Sequence, residues 1–429
     1  MNRRELLQTL TAASAGLVLG PAAEAFQSHP KPASFRISAA QTAFLLDLQQ
    51  GAARFFFEQA GLVTGQVRDR ASAEGPETRR TASIAATGFG LTALCIADQR
   101  GFLPAAAIRD RVHATLDWHL HHASNEHGFL YHFMDIDTGE RLWESEISSI
   151  DTSLLLCGVL TARAYFTGPG VEAEIRDMAT ALYDRVDWPW MLDGALTYSM
   201  GWKPESGFLS SRWGTYSELM MIYLLGMGST THPASPRTWE AFARPYLNYR
   251  GFHYISNQAP LFIHQYSHAW FDFRGRRDRY TNYFSNSVIA TRAHKEFCLD
   301  RGAPYSAEYW GITASDSEYG YTAWGGPPLL GHVDGSIVPC APAGSLAFVP
   351  GACLDVLMDL RTKYPQAWGR YGFVDAFHPQ ADWYDSDVLG IDQGIGMVMA
   401  ENLRSGLVWN TFKRNPEVVR AMDLAGFSA

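Results

Sequence analysis

SIAATGFGLTALCIA, residues 83–97, opens on a serine and then stays apolar nearly all round. A serine just ahead of such a run is placed to cap the free N–H groups of a helix start. A helix with no polar face is buried rather than laid on a surface. The same reading recurs at intervals of roughly 50 to 70 residues: SSIDTSLLLCGVL from Ser148, TYSELMMIYLLGMG from Thr215, SNSVIATRAHKEF from Ser285, SLAFVPGACLDVLMDL from Ser345 and DQGIGMVMAENL from Asp392. Between these runs lie more polar helical stretches, at 41–59, 104–122, 172–186, 239–248 and 416–426. Six inner helices wrapped by outer ones predict an all-α fold, an (α/α)6 barrel. In such a toroid every inner helix can point its N-terminus at one face, which makes a single funnel-shaped site there.

Helical hairpins in a ring bury little alone, so 39–429 is expected to be one domain rather than several. The segment 128–139 alternates and ends in a turn, like a short hairpin. Two stretches, 308–328 and 372–390, are too rich in Gly, Tyr and Asp for core elements, and loops of this length are usually functional.

Residues 1–25 read as an export signal rather than as fold. Arg3 and Arg4 are paired, an apolar stretch follows to Leu19, and Ala23-Glu24-Ala25 resembles a cleavage site. The twin arginine points to the Tat route, with an ordinary Sec signal as the alternative. Residues 26–38 form a polar, Pro-containing leader. The expected setting is exported, periplasmic or secreted, with no integral membrane segment after signal removal.

Net charge is −9 with no basic stripe, which argues against nucleic acid as a partner. Aromatic residues make up 13% of the chain, and many fall in loop-like segments beside Gly and Asp, where they suit stacking on sugar rings or wedging of loops. The cysteines, Cys95, Cys157, Cys298, Cys340 and Cys353, fit no metal or C-x-x-C spacing and read mostly as small buried hydrophobes, with Cys340–Cys353 as a possible bridge. His264 and His268 are four apart, but no third ligand or H-E-x-x-H accompanies them. No metal or cofactor is expected. Nucleophile-elbow, P-loop and dinucleotide-binding glycine patterns are all lacking in the sequence.

The chemistry is carried by carboxylates. Glu144 and Glu146 lie just ahead of the second inner run. Asp151 falls three residues after Ser148 and Glu218 three after Thr215, so both also match a capping box. Capping and catalysis are compatible, since those helix starts rim the site. Hydrolysis of a glycosidic bond needs one carboxyl to protonate the leaving oxygen and another to activate water or attack carbon. Asp316, Glu318, Asp272, Asp334 and Asp392 are further candidates.

These segments carry a resemblance. RFFFEQA, GLVTGQVRDRA, SIAATGFGLTAL, GFLYHFMDIDTG, SEISSIDTSLLL, YSELMMIYLLGMGS, HQYSHAWFDFRG, YFSNSVIATRAH, WGITASDSEYGYTAWGGP, DGSIVPCAPAGSLAFVP, WGRYGFVDAFHP and IDQGIGMVMAENLRSGL run in order from Arg54 to Leu407. The chain resembles the glycoamylase-like family of bacterial exported proteins, which includes endo-β-1,2-glucanases. The resemblance implies the same (α/α)6 barrel and a metal-independent glycoside hydrolase, with β-1,2-glucan as the leading substrate. It places the catalytic groups at Glu146, Asp151 and Glu218. In this reading Glu218 is the general acid, Glu146 the base that activates water, and Asp151 tunes the pair. The outcome is expected to be inversion, and the acid and base roles are open to exchange. Trp143, Trp213, Gln265, His268, Trp270, Asp272, Trp310, Asp316, Tyr319 and Trp324 are the expected sugar contacts. Alternatives are an exo-acting or transglycosylating enzyme on the same barrel, a non-catalytic glycan-binding protein, and a polysaccharide lyase using Lys203, Arg212, Arg274, Arg276 and Arg277.

Overall fold

Ser38 starts the first helix by a capping box. Its Oγ accepts from the Gln41 N–H at 3.2 Å while the Gln41 side chain accepts from the Ser38 N–H at 2.9 Å. The structure, a computed structural model, describes residues 35–324, 326–327 and 333–429. The proposed signal segment and residues 26–34 of the leader lie outside the described residues. The chain is mostly helical. Its principal helices are α1 (Ala39–Glu58), α2 (Ile84–Arg100), α3 (Ala105–His121), α4 (Ser149–Tyr165), α5 (Val171–Asp184), α6 (Met220–Gly228), α7 (Tyr266–Trp270), α8 (Tyr283–Asp300), α9 (Pro350–Lys363), α10 (Gly390–Arg404) and α11 (Pro416–Leu424).

Two of the inner starts lie where the serines place them. Ser83 accepts from the Ala86 N–H at 3.3 Å and Ser148 from the Asp151 N–H at 3.3 Å, so α2 and α4 begin at once after them. The other four are displaced, each for a local reason. Thr215 pairs with Ala243 as extended chain, and Tyr216 donates to the Ala243 carbonyl at 2.8 Å, so α6 begins only at Met220. Asn282, not Ser285, caps α8 by accepting from the Ser285 N–H at 2.8 Å. Ser345 lies in the link between the short Cys340–Ala343 helix and α9, whose start is set by Pro350, a residue with no N–H to leave unpaired. Finally, α10 begins at Gly390, held by its N–H on the Asp69 carbonyl at 2.8 Å, which leaves Asp392 inside the first turn.

Two further expectations are corrected. Of the 239–248 stretch only 239–241 is helical, as the end of the Arg237–Ala241 helix. Tyr246–Tyr249 instead pairs with Phe252–Ile255, because Arg250 and Gly251 both take positive φ, as a two-residue hairpin turn demands. The 128–139 stretch is not a hairpin on itself. Phe129–Leu130 pairs back with Asn125–Glu126, and Phe133–Asp135 pairs with Thr81–Ser83.

The inner helices touch in succession. α2 crosses α4 closely: a Cβ on Gly158 would lie 2.1 Å from the Gly88 carbonyl oxygen. α4 packs on α6, and the Met221 N–H of α6 reaches Ser267 of α7 at 3.1 Å. Ser287 of α8 donates to the His264 carbonyl at 3.0 Å, and Thr291 meets Ser345 at 3.1 Å. The Cys340–Ala343 helix packs on α10, and α10 returns to α2, where Gly394 faces Phe89. The more polar α1, α3 and α5 lie against these from outside. All five cysteines are buried free thiols. Among the described residues no helix is long and apolar enough to cross a membrane.

A strip of short strands runs across the helix starts. β1 (Arg70–Ser72) pairs with β7 (Asp387–Leu389), and Arg68 bridges Ala82 of β2 (Thr81–Ser83). β2 pairs with β3 (Phe133–Asp135), and Tyr131 bridges Ile147 of β4 (Ile147–Ser148). β4 pairs with β5 (Gly201–Lys203), and β5 with β6 (Gly207–Phe208). β2, β4 and β7 feed directly into α2, α4 and α10. Residues around those three junctions are thereby brought along one edge of the molecule.

Candidate active site

The strip places His132, just ahead of β3, against the start of α4. The His132 N–H donates to the Glu146 carbonyl at 2.9 Å. Its ring then lies between two carboxylates, with Nδ1 3.2 Å from Glu146 Oε1 and Nε2 3.6 Å from Asp151 Oδ2. Asp151 Oδ2 also accepts from Ser148 Oγ at 2.6 Å. The first turn of α4 favours negative charge at this point. All three side chains are largely but not wholly buried, at 11% exposed for His132, 9% for Glu146 and 5% for Asp151. Ser148 Oγ thus meets Asp151 twice, accepting from its N–H and donating to its carboxylate, rather than the carboxylate capping the Ser148 amide as a capping box would.

Glu218 stands two residues ahead of α6, so the capping box with Thr215 does not form. Its side chain is enclosed, and its carbonyl accepts from Ser267 Oγ at 2.6 Å. Trp213, in the same approach to α6, donates through Nε1 to Ser149 Oγ at 2.9 Å, so the starts of α4 and α6 are neighbours. Glu146, Asp151 and Glu218 therefore belong to adjoining helix starts.

A second carboxylate group lies where β1 meets β7. Arg70 Nη1 is 2.5 Å from Asp316 Oδ2, and the Asp316 N–H donates to Asp375 Oδ2 at 2.7 Å. Oxygens of Asp316, Asp375 and Asp385 lie within 4.8 Å of one another. Burial pushes the Asp385 carboxyl up to about 7, helped by the charge of Asp316. Burial and the neighbouring Asp392 push Asp375 well above the usual range. Burial also raises Asp316, while Arg70 pulls it back down. Carboxylates this close, with one guanidinium among them, cannot all ionise, so the group holds protons near neutral pH. It also joins the two long loops to each other. Asp316 and Asp392 are sequence candidates. Asp375 and Asp385 are not, because they come together only when the loops pack. The spacing of His132, Glu146 and Asp151 and that of Asp316, Asp375 and Asp385 are each compact enough to close on a cation.

The expected sugar contacts divide sharply. Trp143 is 71% exposed and Tyr319 is 88% exposed. Trp143 and Glu144 both take positive φ, at 52° and 50°, which a bulky side chain rarely adopts. The turn is closed by the Ser145 N–H on the Leu142 carbonyl at 2.9 Å and by Arg141 Nε on the Ser145 carbonyl at 2.5 Å, and it presents the indole edge-on to Phe133. The other aromatic candidates lie inside. Trp270 donates to Thr92 Oγ1 at 3.0 Å and Trp324 to Ser315 Oγ at 2.7 Å, while Trp310 lies under the Lys295 ammonium. Gln265 reaches the Ala341 carbonyl and Ser345 Oγ, each at 2.8 Å. His268 bonds Ser287 at 3.1 Å, and burial pushes its pKa down to about 3, so it is neutral. Asp272 is held by Arg274 at 2.8 and 2.9 Å. In this structure Trp213, Gln265, His268, Trp270, Trp310 and Trp324 are all buried.

Comparison with known proteins agrees with this architecture. Residues 210–416 match the family model described as "Putative glucoamylase". A curated exo β-1,2-glucooligosaccharide sophorohydrolase (non-reducing end) from Parabacteroides distasonis is 27% identical over 420 residues, covering 88% of this chain. The chain spans only 57% of the length of that relative. The endo-β-1,2-glucanase of Chitinophaga pinensis, solved with sophorotriose and glucose, superposes with a TM-score of 0.84 at 25% identity, covering 91% of this chain and 99% of that one. A glucoamylase-like structure from Bacteroides uniformis gives a TM-score of 0.84 at 28% identity, covering 91% of this chain and 98% of the other. Over most of its length the chain is similar to glycoamylase-like proteins, and the family model itself matches a little under half of it.

Proposed function

We propose that this chain is a glycoside hydrolase that cleaves β-1,2-linked glucan, with endo cleavage as the leading mode, on an (α/α)6 barrel. The observation that carries the reading is the meeting of Glu146 and Asp151, bridged by His132, beside the Glu218 approach to the next inner helix. The chain of contacts from α2 through α4, α6, α7, α8 and α10 back to α2 supports the barrel. The sugar linkage is taken from the relatives, one an endo-acting and one an exo-acting β-1,2-glucan enzyme. The twin arginine and A-x-A segment support export, with the protein working in the periplasm or outside the cell.

In the proposed reaction Glu146 takes a proton from water as the water oxygen attacks the anomeric carbon. The glycosidic bond breaks, and the leaving oxygen takes a proton from Glu218. Asp151 holds its charge beside Glu146. The outcome is inversion. Trp143 supplies a stacking face next to the reacting carboxylates. A second assignment of the acid is favoured by one observation: Asp385 has the raised pKa that a proton donor near neutral pH requires. Incubation with linear β-1,2-glucan and, separately, α-1,4-glucan tests the reading. An early ladder of β-1,2-gluco-oligosaccharides is expected, with the α-glucan untouched. Disaccharide alone from the first time point indicates the exo mode of the Parabacteroides relative. Cleavage of the α-glucan in preference would overturn the substrate.

A further inference from the structure

We propose that His132 is a positioning residue for this hydrolysis, an imidazole clamp that holds Glu146 and Asp151 as one unit. The inference rests on the reading of Glu146 as the base that activates water. The two carboxylates come from different elements, Glu146 from the chain ahead of β4 and Asp151 from the first turn of α4. Five residues of backbone set where they start, and their side chains then converge on the ring of His132, with Nδ1 at 3.2 Å from Glu146 and Nε2 at 3.6 Å from Asp151.

The ring itself has little freedom. Its backbone is pinned on both sides, by the N–H on the Glu146 carbonyl at 2.9 Å and by the carbonyl accepting from Ile84 at 3.3 Å. One face lies 3.7 Å from the Phe133 ring, at an interplanar angle of 19°. The charged groups paired with it are Glu146 from one side and Asp151 from the other, with Ser148 Oγ on the same Asp151 oxygen. An imidazole can serve both carboxylates with N–H donors only when both ring nitrogens carry protons. In that state one positive charge stands between two negative ones. Glu146 Oε1 is engaged by the ring, which aims the carboxylate that is to receive the water proton. His132 gains and loses no atom in the reaction. It fixes the direction from which the proton is taken.

A base positioned in this way should lose turnover, not binding, when its clamp is removed. We expect His132→Ala to lower kcat on β-1,2-gluco-oligosaccharides by about 10- to 100-fold with KM changed less than about threefold. Added imidazole should restore part of that loss, and His132→Gln, which keeps one neutral donor nitrogen, should fall between. In a double-mutant cycle His132→Ala with Asp151→Asn should cost little more than the worse single variant. If His132→Ala folds to the wild-type circular dichroism and turns over at the wild-type rate, the clamp is wrong. Fully additive losses, or a loss that imidazole leaves untouched while KM rises, would also overturn it. Should the alanine variant not fold, His132→Gln carries the same test. Glu146→Gln is assayed alongside. If that variant stays active, the assignment of the base has failed, and the clamp with it. If it is inert while His132 variants are unaffected, the clamp alone has failed.

Discussion

Neutralising Asp385 should make the protein more stable in alkaline solution and leave it unchanged in acid. Asp385 is partly buried, and its carboxyl is held at about 7 against 3.8 unperturbed, chiefly by burial and then by Asp316. The folded-state value lies above the unfolded one. The stabilisation from holding this proton is therefore fully present below the unfolded value and is lost as pH rises through the folded value. Across that window the loss approaches 1.36 kcal/mol per unit, or about 4 kcal/mol in all. Water at the rim of this partly buried group reduces it, to roughly half. Asn cannot ionise, keeps the oxygen that accepts from the Asp387 N–H at 3.1 Å, and changes the volume little. Unfolding entropy near 2.1 cal/mol/K per residue gives about 0.8 kcal/mol/K for a domain of this size, so 2–4 kcal/mol corresponds to roughly 2–5 °C. Asp385→Asn should thus melt with wild type at pH 4, draw ahead above that, and lead by that margin above pH 7. The assay is thermal unfolding by circular dichroism from pH 4 to 9, with hydrolysis measured on the same samples. A gain that does not depend on pH, or a lower melting point at pH 8.5, would refute the reasoning. If Asp385 is the proton donor, the stabilised variant will also be inactive.

Trp143→Gly should raise KM about tenfold, near 1.4 kcal/mol of lost stacking, with the melting point held or raised because glycine suits the positive φ there; steady-state kinetics and a thermal scan check both. Gly158→Ala forces a methyl to within 2.1 Å of the Gly88 carbonyl oxygen, and the helix crossing should lose about 3 kcal/mol, read as a lower urea midpoint with unchanged slope. Glu401 is fully buried and accepts from Gln49 at 2.8 Å and from Arg100 at 2.5 and 3.0 Å. Glu401→Gln leaves Arg100 without its counter-charge and should cost about 3–5 kcal/mol, a fall of about 4–6 °C in melting temperature.

The helical inner runs were legible because a buried helix must be apolar all round, and Ser83 and Ser148 marked their starts because each is followed at once by helical chain. Ser285 and Thr215 carried the same local signal but lost to neighbours. Asn282 offers an equally good cap one turn earlier, and the Thr215 backbone is taken by Ala243 in a contact distant in sequence. The site divides in the same way. Glu146 and Asp151 are close in sequence to the helix they rim, so their placement could be read from SEISSIDTS. His132 reaches them only through strand pairing, and its signal was its place in the alternating FLYHF stretch. Asp375 and Asp385 meet Asp316 only when two loops pack, which no local pattern announces. Gly-rich surroundings suggest exposure, yet Trp310 and Trp324 are almost wholly buried, since indoles anchor long loops to the inner helices.

The most direct test of the account is hydrolysis of linear β-1,2-gluco-oligosaccharides by the wild-type protein beside Glu146→Gln and Glu218→Gln, with folding checked by circular dichroism. The account predicts short β-1,2-linked products from the wild type and a loss of at least about 100-fold in kcat for both folded variants. A wild type that leaves these substrates intact, or variants that cleave them at the wild-type rate, would contradict it.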